Sequence, residues 1–189
     1  YYSANSHLYV AKAASPTGPF TQCGTYLMAS LIKDEACIDG TVFRNDDGKL
    51  WLFLDRWDTN GESIYLCRLT DDGLTTTGTY LRECLHTTQD WELISGRVAE
   101  GSCVVKHNGK YYLTYSGNGY DSQDYAIGYA TATSITGTWT KYSGNPILRR
   151  YDNLVGIGHH SIFTDKEGKL RIVFHAHNSK TAVFPRQVY

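Results

Sequence analysis

Residues 39–55, DGTVFRNDDGKLWLFLD, recur in altered form as residues 100–116, EGSCVVKHNGKYYLTYS, and as residues 159–175, HHSIFTDKEGKLRIVFH. Each copy is a short apolar run, a polar turn ending in Gly-Lys, and a second apolar run. The turn glycine comes nine positions after the first residue every time: 48 − 39, 109 − 100 and 168 − 159. Asp47-Gly48 and Asn108-Gly109 are strong hairpin signals, because such pairs supply the positive φ that tight turns need; Glu167-Gly168 is a weaker variant. The copies start 100 − 39 = 61 and 159 − 100 = 59 residues apart. A strand-filled period near sixty fits a four-stranded propeller blade with generous loops.

Outward from these hairpins the repeat continues. Val10–Thr21, VAKAASPTGPFT, matches Tyr129–Thr140, YATATSITGTWT, with Gly18 on Gly137 and Phe20 on Trp139. Each reads as an outer strand, a glycine turn and a short last strand. Glu62–Thr70, ESIYLCRLT, holds the outer-strand place of the first full repeat. Tyr2-Ser3-Ala4-Asn5 matches Tyr115-Ser116-Gly117-Asn118, so the chain begins inside a blade, after that blade's innermost strand. No segment shows a sustained 3.6-residue apolar period, and no linker or low-complexity tract divides the chain. The expectation is one all-β domain over residues 1–189: an incomplete propeller with the end of one blade and about three further blades.

Composition narrows the function classes. The 189 residues are 20% charged and 41% hydrophobic, which excludes a disordered polyampholyte. A formal net charge of −1 with no basic block argues against a nucleic-acid or anionic-membrane partner. Apolar runs such as Leu50–Leu54 are far shorter than the ~20 residues of a membrane helix. The five cysteines include no C-x-x-C pair, so free thiols are expected and the cellular compartment stays open.

The repeat brings three unlike polar residues, Asp39, Glu100 and His159, to one sequence position at the start of what would be the innermost strand. A buried core does not need an acid, a longer acid and an imidazole there, since buried charge is costly unless paired or functional. Convergence of three ionisable groups on one axis is what acid–base chemistry requires. Two nearby carboxyls hinder each other's ionisation, so one of them stays protonated near neutral pH, and a protonated Glu that reaches a glycosidic oxygen is a general acid. Sixteen positions after each come Asp55, Ser116 and His175, weaker pointers whose direction the sequence leaves open. Trp57 reads either as a sugar-stacking platform or as packing between blades. Tyr120 reads either as a substrate neighbour or as a loop contact.

IDGTVFRNDDGKLWLFLDRW, AEGSCVVKHNGKYYLTYSGNGYDSQDYAIGYA and GIGHHSIFTDKEGKLRIVFHAH together resemble glycoside hydrolase family 43. That family comprises five-bladed β-propellers: β-xylosidases, α-L-arabinofuranosidases and arabinanases that hydrolyse with inversion. The resemblance implies that Glu100 is the general acid, with Ser102 in place of a usual proline two residues on. It implies that Asp39 raises the pKa of that acid and orients it. It places His159 where a propeller-centre histidine meets a bound calcium or its waters, calcium being the only cofactor implied. Arg186 resembles an arginine that the family points into its pocket, a solvated surface arginine being the alternative. The family's general base is an aspartate about two blades upstream of the Asp39 motif, and this chain has no such segment. The expectation is therefore a parent glycosidase acting on arabinose- or xylose-containing plant polysaccharides, with the isolated chain inactive. Exposed blade faces of an incomplete propeller would favour self-association. Two rivals remain open: a non-catalytic carbohydrate-binding or scaffold propeller, and a related retaining, fructan-active hydrolase, in which acid and nucleophile lie ~5–5.5 Å apart.

Overall fold

Both faces of the run Leu50–Leu54 are buried, and this turns the repeats into stacked blades. The computed structural model describes residues 1–189. Strands β1 (Tyr2–Ala4), β2 (His7–Tyr9), β3 (Ala11–Lys12) and β4 (Thr21–Gln22) form the end of a first blade as two short antiparallel pairs. Blade A follows as β5 (Cys37–Arg44), β6 (Leu50–Asp58), β7 (Gly61–Leu69) and β8 (Thr76–Leu85), paired in that order. Blade B is β9 (Ala99–His107), β10 (Lys110–Gly117), β11 (Ala126–Ala132) and β12 (Thr140–Lys141); blade C is β13 (Gly158–Thr164), β14 (Leu170–Ala176) and β15 (Gln187–Val188). Helix is limited to α1 (Ala29–Ile32) and a 3-10 turn at Asp90–Glu92. Neither is long and apolar enough to cross a membrane. All five cysteines are free thiols.

The strand period of two explains the packing. Along β6, Trp51 and Phe53 face blade B, where they join Tyr111, Leu113 and Tyr115. The alternate residues Leu50, Leu52 and Leu54 face the first blade and join Leu8, Val10 and Met28. A strand covered on both sides has no face that needs to be polar, hence the unbroken apolar run. Ile127 of β11 begins a third layer with Ile157 and Ala176 against blade C. The innermost strands meet at the hub, where β9 lies against both β5 and β13.

Each innermost strand carries a β-bulge at its hub end. Two residues of β5 oppose one of β6 between the pairs Ile38–Asp55 and Thr41–Phe53. The same step separates Glu100–Ser116 from Cys103–Thr114, and Gly158–His175 from Ser161–Val173. The bulged residue has positive φ in all three: Asp39 at 53°, Gly101 at 59° and His159 at 46°. This corrects the expected equivalence. Glu100 matches Ile38 and Gly158 in register, one residue before the position held by Asp39 and His159. The cause is the hairpin loop. Asn108 (φ 48°) and Gly109 (φ 74°) make a two-residue turn between the paired His107 and Lys110. In blade A the Asn45 N–H donates to Lys49 O at 2.9 Å, around the three-residue loop Asp46-Asp47-Gly48. Blade C closes in the same way, Asp165 N donating to Lys169 O at 2.9 Å. Counting back nine residues from glycine therefore lands one register earlier in blade B.

Candidate active site

The hub end of the blades holds a cleft of about 320 Å³. Asp39, Glu100 and His159 line it, and so do Trp57, Tyr120 and Arg186; the weaker pointers Asp55, Ser116 and His175 do not. Ile38 and Glu62 complete the lining. The bulges make this convergence possible, because an extra residue re-aims the side chain at the strand end.

A latch between successive blades fixes the bulges. The backbone N–H of Asp39 donates to Ser3 Oγ at 3.0 Å, that of Gly101 to Asp55 Oδ2 at 2.8 Å, and that of His159 to Ser116 Oγ at 2.8 Å. Asp55 and Ser116 are two of the residues sixteen positions past the repeat start, and Ser3 matches Ser116 by its Tyr-Ser-x-Asn context. They thus position the hub instead of lining it. Asp55 is fully buried. Burial holds its carboxyl well above the usual range, the Gly101 amide opposes that, and the charges of Asp39, Glu100 and Glu62 push it further up. Gly101 is required at its site: an added Cβ would lie 3.1 Å from the His159 Nδ1, on a backbone already at positive φ.

Glu100 is 7% exposed, and Oε1 accepts a hydrogen bond from the Tyr125 hydroxyl at 2.6 Å. Burial raises its pKa, and the Asp39 charge adds to that; the Tyr125 hydroxyl, His159 and Arg186 pull the other way. His159 Nε2 lies 3.9 Å from Asp39 Oδ2, and its ring stacks on His175 at 5.9 Å between centroids. The Arg186 guanidinium is 2.7 Å from His175 Nε2 and lies over the Tyr120 ring at 4.9 Å. Burial, then the Arg186 charge and the neighbouring histidines, push His175 down to about 4, so it is neutral and accepts from Arg186. Trp57 stands 46% exposed on the cleft wall instead of packing between blades. The arrangement is a buried carboxyl, its pKa raised by burial, facing a cleft with an aromatic wall beside a second acid. It can deliver a proton to a neutral, hydroxyl-rich ligand.

Calcium does not fit this chain's residues alone. Around His159 stand the carboxyl groups of Asp39 and Glu100 and the His175 ring, against the six to eight oxygens that calcium takes. No group of three or more His, Cys, Asp or Glu side chains is arranged to hold a metal.

The sequence reading missed Glu62 and Tyr125, and a register argument finds both. The latch position pairs with the third strand as Asp55–Ile64, Ser116–Ile127 and His175–Val188. Two residues earlier on those strands are Glu62, Tyr125 and Arg186, all turned to the hub, because the strand period of two keeps them on the face of the paired residue.

Comparison with known proteins places this geometry. The chain is 29% identical over 170 residues to a β-D-galactofuranosidase of Aspergillus niger, covering 88% of this chain and 46% of the relative. It is 29% identical over 179 residues to an extracellular exo-α-(1→5)-L-arabinofuranosidase of Streptomyces avermitilis, covering 89% and 36%. Among solved structures it superposes on an endo-1,4-β-xylanase of Bacteroides thetaiotaomicron with a TM-score of 0.89 at 38% identity, covering 99% of this chain and 63% of that one. The chain thus spans less than half the length of these curated relatives. The description of glycosyl hydrolases family 43 matches residues 1–189 throughout, so the chain belongs to that family and carries part of its five-bladed β-propeller.

Proposed function

We propose that the protein to which this chain belongs is an inverting glycoside hydrolase acting on arabinose- or xylose-containing plant polysaccharides and their oligosaccharides. Glu100 is the general acid that protonates the leaving glycosidic oxygen. Asp39 keeps that proton on Glu100 through its charge. A carboxylate base outside residues 1–189 activates water on the opposite face of the sugar, at the roughly 6.5–9.5 Å that inversion needs. Residues 1–189 form one partial catalytic domain in this reading. The observation that carries it is the placement of Glu100: 7% exposed, tied to Tyr125, and open to a cleft it shares with Asp39 and Trp57. Family membership and relatives named as arabinofuranosidase and xylanase support the substrate class.

The test uses the full-length protein with aryl arabinofuranosides, aryl xylosides and arabinan, following the anomer first released by NMR. Turnover with inversion, reduced by about 10²-fold or more in Glu100→Gln, is the expected result. Retention at the anomeric carbon would favour the fructan-type double displacement. Binding without turnover would favour a carbohydrate-binding propeller.

A further inference from the structure

Three unlike residues occupy one register position at the hub: Glu62 in blade A, Tyr125 in blade B and Arg186 in blade C. Two of them have a visible partner. Tyr125 holds Glu100, and Arg186 meets His175. Glu62 has none: no side chain of the protein hydrogen-bonds or pairs with its carboxyl, and Oε1 is buried without a partner. Its backbone is nevertheless fixed, the N–H donating to Arg97 O at 2.9 Å and the residue pairing with Trp57 across the β6–β7 hairpin. A rigid backbone that presents an unpaired carboxyl to a cleft, at 5% exposure, costs stability and gives the fold nothing back. Such an expense is typical of a group that awaits a ligand.

Building on the hydrolase reading, we propose that Glu62 is a further substrate-binding residue, whose side-chain carboxylic acid donates a hydrogen bond to a sugar hydroxyl lying against Trp57. Several charged or titratable groups surround it. Asp55 on β6, Asp39 on β5 and Glu100 on β9 are acidic; His159 on β13 and Arg186 before β15 complete the cleft. Burial, followed by the Glu100 and Asp39 charges, pushes Glu62 up to about 8, so at neutral pH it carries the proton it would donate. A neutral acid offers one donor and one acceptor, which matches the hydroxyl pair of a pentose and avoids facing an uncharged sugar with a buried anion.

Isothermal titration of the full-length protein with xylo- and arabino-oligosaccharides tests this. Glu62→Leu, close in size and without polar atoms, is expected to weaken binding about tenfold or more. Glu62→Gln keeps a donor and recovers most of that affinity. Having no proton to lose, it is also expected to remove the weakening expected of the parent protein as pH rises through about 8. Affinity in Glu62→Leu within twofold of the parent overturns the proposal. Should Glu62→Leu fail to fold, an alkaline weakening in Glu62→Gln equal to the parent's overturns it instead. Turnover of the same sugars reports separately on the hydrolase reading. Binding without cleavage, lost in Glu62→Leu, leaves Glu62 assigned and removes the hydrolase; no sugar binding at all removes both.

Discussion

Tyr125 and Asp39 act on Glu100 in opposite directions, and each predicts a signed change in the pH profile. The Tyr125 hydroxyl donates to Glu100 Oε1 at 2.6 Å and so favours the carboxylate; Asp39 disfavours it by its charge. In the proposed role of general acid Glu100 must be protonated to act, so the alkaline limb of kcat/KM would follow its pKa. Tyr125→Phe is expected to move that limb up, and Asp39→Asn to move it down, by about half a unit to one unit each in the full-length enzyme. Shifts of the reverse sign would contradict the assignment. Trp57, at 46% exposure on the wall, offers apolar area that in the proposed role lies against one sugar face. Trp57→Ala is expected to raise KM by about tenfold with a smaller change in kcat, read from initial rates.

The β-bulge and its latch are the elements that aim these side chains. Burial and its acidic neighbours favour the protonated form of Asp55, of which Asn is a close copy. Asp55→Asn should keep the Gly101 N–H satisfied and stay within about 1 kcal/mol of the parent. Asp55→Ala orphans that amide and should cost about 1–3 kcal/mol in urea unfolding. Equal stabilities would show that the latch contributes nothing. The bulges also explain what the sequence disclosed. The hairpins, the blade order and the inward strand were readable, because both apolar faces and the Gly-Lys turns repeat at fixed spacing. The one-residue offset of Glu100 was not, because the number of loop residues before the glycine depends on turn geometry, which Asn-Gly and Asp-Gly resolve differently. Asp55, Ser116 and His175 were visible only as a spacing. The role of Asp55 and Ser116 needs the next blade, whose amide they receive. Glu62 escaped because nothing in ESIYLC marks its first residue as inward; that follows only from its pairing with Trp57. At the turn itself, Gly109 has φ 74° and open space around it, so Gly109→Ala should cost about 1 kcal/mol from backbone strain, with no loss of sugar binding, as checked by thermal melting and titration.

At the scale of the whole molecule, the segment leading from blade A to blade B is pinned to blade B by Glu92, which is fully buried. It receives Lys141 Nζ of β12 at 2.6 Å, the Tyr115 hydroxyl, and the backbone N–H groups of Thr88 and Gln89 at 2.7 and 2.8 Å. Glu92→Ala leaves a buried ammonium unpaired and should cost about 3–5 kcal/mol. The hub acids give stability a pH dependence of known sign. Folded Glu62 keeps its proton to about 8, against an ordinary 4.5, so between those values the folded state binds more protons and stability falls as pH rises. Glu100 acts in the same direction. The loss due to Glu62 should be on the order of 5 kcal/mol, and Glu62→Gln should flatten it in denaturant titrations across that window. In the proposed role the propeller holds one proton on Glu100 beside a glycosidic oxygen. The most direct measurement compares two full-length proteins, the parent and Glu100→Ala, on xylosides or arabinofuranosides of graded leaving-group acidity. A general-acid Glu100 is expected to give a kcat loss of about 10²–10⁴-fold for alkyl or sugar leaving groups and little loss for dinitrophenolate, which departs without a proton. A loss of the same size for every leaving group would contradict it.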